Sequence, residues 1–165
     1  MLKFEKVEEI DFPILANIAK EIWHYAFDSL IGESQTNYMV ENFQSESAFL
    51  RQTSSEFYTY YFIVYNGERV GYTAIANKPN ENRLFLSKLY LLPKVHKKGL
   101  AVKTLEFVQD VAKKCGKIAV YLTVNKGNSR AISVYEKFGF KRIDSVVTDI
   151  GNGFVMDDYV YELSV

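Results

Sequence analysis

The feature that most constrains this fold is a hairpin signal in the middle of the chain. The dipeptide Asn66-Gly67 separates two runs rich in aromatic and β-branched residues, 57–65 and 69–76. Asn-Gly is a preferred pair for a type I′ turn, because both central residues of that turn need a positive φ. Runs of this composition are typical of strands. The sequence therefore predicts an antiparallel β-hairpin that turns at residues 66 and 67.

The remaining elements are predicted from apolar periodicity and from capping and turn residues. They are a strand at 2–7, a helix from Asp11 to near Phe27, one or two short helices within 34–52 broken near Gln44-Ser45, a strand at 84–92, a helix at 99–115, a strand at 118–124, a helix from Asn128 or Ser129 to Phe138, and two strands around 151–153. A helical segment thus precedes an alternation of strands and helices.

The helix at 99–115 has a clear apolar stripe, which we expect to be buried. The stripe comprises Ala101, Leu105, Val108 and Ala112. Cys115 falls beside it, so a buried structural role is expected for this thiol rather than a nucleophilic one. Gly116 is expected to end the helix as a C-terminal cap.

Composition excludes several classes of function. The 165 residues include 20 Lys plus Arg and 20 Asp plus Glu, so no net positive charge favours nucleic-acid binding. One cysteine with two histidines, His24 and His96, is too few residues for an ordinary zinc framework. No apolar run approaches the length of a membrane helix, and the N-terminal residues do not read as a signal peptide. We expect one cytoplasmic domain, 1–165, with no metal, no membrane and no nucleic-acid partner.

The segment 89–102 carries the clearest binding signal. A strand ends, a turn follows, and a helix begins with the positive end of its dipole at the same place, while Gly99 permits a ligand to approach the main chain. Four lysines surround the turn without an acid between them, namely Lys94, Lys97, Lys98 and Lys103. This arrangement is typical of a diphosphate site, and the alternative is a solvated, lysine-rich turn. Neither a GxGxxG fingerprint nor a P-loop is present.

A second constellation lies in the helix that begins near Asn128. Asn128 and Tyr135 are seven residues apart, about two helical turns, so their side chains are expected to point at a common groove. One ligand could then contact both. The alternative is that Asn128 is only an N-cap and Tyr135 only a core residue.

These two constellations resemble the GNAT superfamily of N-acetyltransferases. The resemblance rests on His96-x-x-Gly99-x-Ala101 and on Asn128-x-Arg130-Ala131-x-x-x-Tyr135-x-x-x-Gly139-Phe140. It implies an α/β (α+β) fold with a mixed, mostly antiparallel central sheet of about seven strands flanked by about four helices. It also implies acetyl-CoA as cosubstrate and Tyr135 as the general acid beside the thioester sulfur. The cofactor-binding residues it implies are Leu89, Tyr90, Leu91, His96, Lys97, Lys98, Gly99, Leu100, Ala101, Val102, Asn125, Asn128 and Tyr135.

The chain departs from the family pattern at three positions. His96 stands where the family usually has Gln or Arg, and Lys97 stands where it has Gly. Main-chain amides hold the pyrophosphate, so binding should survive both changes, although His96 could make CoA affinity depend on pH. The strand 84–89 lacks the glutamate that often serves as general base. Ordered water, Glu33, Glu41 or His24 then remain as alternatives for deprotonating the amine.

The acceptor is expected to be a small primary amine. A diffuse similarity to bacterial polyamine N-acetyltransferases favours polyamines, and a polyamine site would need carboxylates around an elongated cleft. The candidates are Asp28, Glu33, Glu41, Asp157 and Asp158. The alternatives are an enzyme acting on a protein N-terminus or amino acid, a catalytically silent acyl-CoA sensor, and a structural domain without CoA. A homodimer is also left open.

Overall fold

The computed structural model describes all 165 residues and contains seven strands and five α-helices. The strands are β1 (Leu2–Lys6), β2 (Tyr58–Tyr65), β3 (Glu68–Ala76), β4 (Arg83–Leu91), β5 (Ala119–Asn125), β6 (Lys141–Gly151) and β7 (Phe154–Ser164). The helices are α1 (Phe12–Ile31), α2 (Glu33–Phe43), α3 (Glu46–Ser55), α4 (Leu100–Lys114) and α5 (Ser129–Phe138). All strands join one sheet in the order β1-β2-β3-β4-β5-β7-β6. The predicted sheet of seven strands is confirmed, with one helix more than expected.

The predicted hairpin is confirmed as the β2–β3 pair. Tyr65 pairs with Glu68, and the two residues between them both have a positive φ, 51° at Asn66 and 82° at Gly67. These are the conformations that a type I′ turn requires. β1 and β4 then extend the hairpin on both sides in antiparallel pairing.

The two halves of the sheet meet where β4 and β5 run parallel. They pair only from Arg83 to Phe85, opposite 119–121. On its other side, β4 has an extra residue at Ser87, because Ala74 of β3 pairs with Lys88 while Ile75 pairs with Leu86. A bulge of this kind bends a strand and interrupts its ladder. Beyond Phe85 the two strands are therefore no longer paired, and a cleft opens between them.

Each half of the sheet has its own apolar core. In the first half, alternate residues of β2, Tyr60, Phe62 and Val64, pack with residues of α1 and α3. In the second half, α4 and α5 pack on β5 and β7, and the same cluster includes Leu84 and Leu86 from the adjoining strand β4. The β2 residue between these alternate positions, Ile63, packs with Leu100 at the start of α4. The period of two along a strand thus directs α1 and α4 to opposite faces.

Several expectations are corrected. The first helix ends at Ile31 rather than near Phe27, because the next residue, Gly32, has a φ of 88° and stops it. The Asp11 carboxylate does not cap this helix but accepts a hydrogen bond from the amide of Glu8. Cys115 is exposed rather than buried, because α4 ends one residue before it.

Other expectations are confirmed or refined by the helices. The break near Gln44-Ser45 is confirmed, and the Ser45 hydroxyl caps α3. Gly116 follows α4 with a φ of 71°, as expected for a C-terminal cap. Ala101 is half-buried rather than part of the buried stripe.

No helix has both the length and the apolar character required to cross a membrane.

Candidate active site

The turn between β4 and α4 presents a row of free backbone amides. None of the amides from 97 to 102 donates a hydrogen bond within the protein. Lys97 and Gly99 both have a positive φ, 66° and 75°, which turns the chain so that the row leads into the first turn of α4. Consecutive unpaired amides at a helix N-terminus form an anion-binding site. The structure thus has the main-chain geometry that the sequence predicted for a diphosphate site.

Ion pairs leave only part of the lysine cluster free. Lys94 pairs with Glu68, and Lys103 lies 3.4 Å from a carboxylate oxygen of Glu106. Lys97 and Lys98 form no ion pair and are exposed. These two lysines contribute positive charge beside the amides.

His96 is held in one tautomer by its two contacts. Its Nε2 lies 3.2 Å from the carbonyl oxygen of Leu91, and its Nδ1 lies 2.6 Å from Nη1 of Arg130. The guanidinium must donate, so Nδ1 accepts and Nε2 carries the proton. Partial burial and the Arg130 charge lower the pKa of His96 from 6.5, so the ring is neutral at pH 7. Sequence reasoning noted Arg130 only as part of a motif and did not assign it to the site.

A groove of about 620 Å³ runs from this turn along β4 and α5. Most of the predicted cofactor-binding residues line it, namely Leu89, Tyr90, Leu91, His96, Lys97, Gly99, Leu100, Ala101, Val102, Asn128 and Tyr135. Arg130 also lines the groove, and its guanidinium adds a second positive charge there. Lys98 does not line it, and Asn125 lines the neighbouring cavity instead.

Asn128 and Tyr135 meet at one face of α5, as their spacing predicted. The Asn128 side-chain oxygen accepts a hydrogen bond from the amide of Ala131, so this residue is the N-cap, and it also lines the groove. Tyr135 is buried, its ring packs edge-on against Phe140 at 5.7 Å between centroids, and its hydroxyl has no hydrogen-bond partner within the protein. Burial raises the pKa of Tyr135 to about 12.

A second cavity of about 240 Å³ lies on the other side of Tyr135. Its wall is mostly apolar and comes from α1, α2, α3, β2, β4, β5, α5 and β7. Tyr90, Asn128 and Tyr135 line both this cavity and the groove. Two buried polar atoms in its wall, Trp23 Nε1 and Asp158 Oδ1, have no hydrogen-bond partner within the protein. Because buried polar groups are nearly always paired, the unpaired oxygen of Asp158 in this wall indicates a place for a polar ligand.

Asp158 is the only carboxylate in the wall of this cavity. Its pKa is raised to about 6, chiefly by burial and next by the charge of Asp157, while Lys126 opposes the change. Sequence reasoning proposed Asp158 only as one of several acceptor-binding acids. Its burial depends on the pairing of β7 with β5, which a single sequence does not reveal.

Lys88 is buried in the same wall, just after the bulge. Its Nζ donates to the carbonyl oxygen of Phe43 at 2.5 Å, to the side-chain oxygen of Gln52 at 3.3 Å and to the hydroxyl of Tyr60. Burial lowers the pKa of Lys88 well below 10.5. With all three contacts made to the protein, Lys88 supports the wall of the cavity.

The other residues predicted as general bases or as acceptor-binding acids lie elsewhere. Glu33 and Glu41 are exposed, and neither lines the cavity. The His24 ring is engaged by Asp28, with Nδ1 2.9 Å from a carboxylate oxygen. Asp157 is exposed and pairs with Lys126 at 2.7 Å. His24, Asp28, Glu33, Glu41 and Asp157 are all absent from the cavity that Tyr135 lines.

Comparison with known proteins places the chain in a family. A sequence model of the acetyltransferase (GNAT) family matches residues 18–140. The chain belongs to the GNAT family. An uncharacterised N-acetyltransferase of Mycobacterium tuberculosis is 40% identical over 77 residues, which cover 47% of this chain and 49% of that protein. The uncharacterised N-acetyltransferase YjgM of Escherichia coli is 34% identical over 89 residues, 53% of each chain. The chain thus spans about half the length of these relatives.

Solved structures share the whole fold. The PaiA N-acetyltransferase from Thermoplasma acidophilum, in complex with coenzyme A, superposes with a TM-score of 0.83 and 22% identity over 100% of this chain and 99% of that chain. The ribosomal-protein-S18-alanine N-acetyltransferase from Escherichia coli gives a TM-score of 0.74 and 20% identity, over 100% of this chain and 94% of that chain. At these identities the likeness concerns the fold.

Proposed function

We propose that this protein is an acetyl-CoA-dependent N-acetyltransferase, in which a primary amine attacks the thioester directly. The observation that carries the proposal is the position of Tyr135 between the groove and the cavity, with its hydroxyl free of protein partners. A donor at this boundary can serve a reaction between a cofactor in the groove and an acceptor in the cavity.

The residues of the groove fit a CoA cosubstrate. The free amides from 97 to 102 would hold the diphosphate, with Arg130 and Lys97 adding positive charge. The end of β4, from Leu89 to Leu91, no longer pairs with β5 and would lie along the pantetheine arm. When bound, acetyl-CoA supplies the acetyl group as an activated thioester. Asn128 would contact the cofactor at the junction with the cavity.

Tyr135 would act as the general acid. A raised pKa keeps its phenol protonated throughout the neutral pH range, so a proton is available for the thiolate of CoA as it leaves. The mostly apolar wall around the phenol would favour delivery of the proton from Tyr135 itself over delivery from water.

For the acceptor, we propose a small primary amine. The single carboxylate of the cavity, Asp158, suits one ammonium group, and the apolar wall suits a carbon chain. Polyamines remain our first prediction, with amino acids or a protein N-terminus next. Glu33, Glu41 and Asp157 do not line the cavity, so a second cationic group of a polyamine would have to lie outside it.

The test is a panel of acceptors with acetyl-CoA, read by release of free thiol. Spermidine represents the polyamines, tyramine represents other small primary amines, and a tripeptide with a free N-terminus represents peptide acceptors. Transfer to at least one of them is expected. CoA binding without transfer to any amine would show that the protein is a silent acyl-CoA sensor and not an enzyme. Absence of CoA binding would show that it is a structural domain.

A further inference from the structure

We infer that Asp158 is the general base of the proposed acetyl transfer and takes the proton from the acceptor ammonium inside the cavity. This inference rests on the proposed function. It names a base for the deprotonation of the amine. The strand before the turn offers no carboxylate for this step, since residues 84–89 are Leu-Phe-Leu-Ser-Lys-Leu.

The first support is the position of the carboxylate. Asp158 lies on β7 opposite Asn125 of β5, at the end of the strand that borders the cleft. The residue is 5% exposed, its Oδ1 has no hydrogen-bond partner, and it lines the same cavity as Tyr135. A free carboxylate oxygen in this wall is available to an ammonium group.

The second support is the set of charges around it. Asp157 and Lys126 act on Asp158 from the neighbouring position of β7 and from the turn after β5. From β4, Tyr90 lines the same cavity as Asp158 and Tyr135. The lysine of the wall, Lys88, donates its hydrogen bonds to other protein groups. With a pKa of about 6, Asp158 is ionised at pH 7.5 and is a stronger base than an ordinary carboxylate.

The need for a base follows from the acceptor. An alkylamine with a pKa near 10.4 is neutral in only about one molecule per thousand at pH 7.4. In the proposed step, one proton of the ammonium moves to Asp158 and the neutral nitrogen forms a bond to the acetyl carbon. As the carbon–sulfur bond breaks, sulfur takes the proton of Tyr135, and the nitrogen returns a proton to the Tyr135 oxygen. Asp158 later releases its proton to solvent, which balances the reaction.

The test compares Asp158→Asn with Asp157→Asn, using whichever of spermidine, tyramine and the tripeptide the wild type turns over fastest. Both variants lose one negative charge, but Asp157 is exposed and outside the cavity. Asp158→Asn should lower kcat about 10²–10⁴-fold at pH 7.5, the usual contribution of a positioned base. Asp157→Asn should stay within about threefold, and CoA binding by calorimetry should confirm that both variants are folded.

The pH profile separates a base from a simple anchor. In the wild type, kcat/KM for the acceptor should fall as the pH drops through about 6. In Asp158→Asn that inflection should be lost, and the deficit should narrow as the pH approaches the pKa of the amine. If Asp158→Asn keeps kcat and only raises KM, Asp158 is an ammonium anchor. That result would overturn the inference about the base but not the proposed function. Failure of the wild type to acetylate any amine would overturn the proposed function as well.

Discussion

At the scale of single residues, a substitution of Tyr135 should change the rate of acetyl transfer without changing the affinity for CoA. Tyr135→Phe keeps the ring that packs on Phe140 and removes only the hydroxyl, which has no partner within the protein. We expect kcat to fall about 10²–10⁴-fold, as for loss of a positioned general acid, while the Kd for CoA stays within about threefold. Steady-state kinetics at saturating acetyl-CoA, together with calorimetry, measure the two quantities. Nearly full kcat would show that the thiolate leaves unassisted or that water protonates it.

Asp158 gives a prediction about stability that does not depend on catalysis. Its pKa rises from 3.8 to about 6 on folding, so the folded protein binds more protons than the unfolded chain between these values. Stability is therefore lost as the pH rises from about 4 to 6, by up to about 3 kcal/mol at 1.36 kcal/mol per pKa unit. Asp158→Asn removes this loss. Urea unfolding should show the variant about 1–3 kcal/mol more stable at pH 7 and equal to the wild type below pH 4. Equal stability at both pH values would mean that the carboxylate is not desolvated.

Residues whose roles depend on local geometry could be predicted from the sequence. The N-cap at Asn128 and the shared face of Asn128 and Tyr135 follow from helical spacing alone. The placement of Asp158 and Lys88 could not be predicted. The first depends on the β5–β7 register, and the second on a bulge that changes the alternation of β4. Both are consequences of how strands pair, which the residues of a single strand do not specify.

At the scale of elements, the start of α4 should bind the diphosphate through its main chain. Gly99→Asp places a carboxylate beside the free amides and should weaken CoA binding about tenfold or more. Lys98→Ala removes an exposed charge that does not line the groove and should change affinity less than about threefold. Calorimetry with CoA measures both. If Lys98→Ala is the more damaging change, side chains rather than amides hold the phosphates.

Gly99→Ala is the matched control for this comparison. A Cβ at Gly99 would meet no atom within 4 Å, so the alanine tests only the strain of a φ of 75°. Such strain costs on the order of 1 kcal/mol in folding. We expect CoA affinity of Gly99→Ala to lie between those of the wild type and Gly99→Asp. A loss equal to that of the aspartate would assign the effect to backbone conformation instead of charge.

The order of the elements was predictable because each has its own local signals, such as the Asn66-Gly67 turn and the Gly116 cap. The residues at which the helices end were harder to predict. The first helix continues past Phe27 because nothing before Gly32 interrupts it, and the His24–Asp28 contact lies along this last stretch. Cys115 was placed in a helix that stops one residue earlier. Periodicity predicts that a helix exists more securely than where it ends.

At the scale of the whole molecule, the cleft is a consequence of how two half-sheets are joined. Each half has its own core, and the parallel contact between β4 and β5 is limited to the stretch from Arg83 to Phe85. The groove draws its lining from both sides, with Tyr90 and Leu91 from β4 and Asn128 and Tyr135 from the second half. A ligand in the groove therefore contacts both halves where the sheet itself does not connect them.

This architecture predicts that CoA stabilises the entire domain. A ligand that binds only the folded state at 100 times its Kd adds about 2.7 kcal/mol. For a domain of this size, 1 kcal/mol corresponds to roughly 2–4 °C in Tm, so a rise of roughly 5–10 °C is expected. Thermal unfolding followed by circular dichroism should show one cooperative transition with and without CoA. Gly99→Asp, at the same CoA concentration, should show a smaller rise. Two separate transitions, only one of them moved by CoA, would show that the half-sheets unfold independently and that the ligand contacts only one.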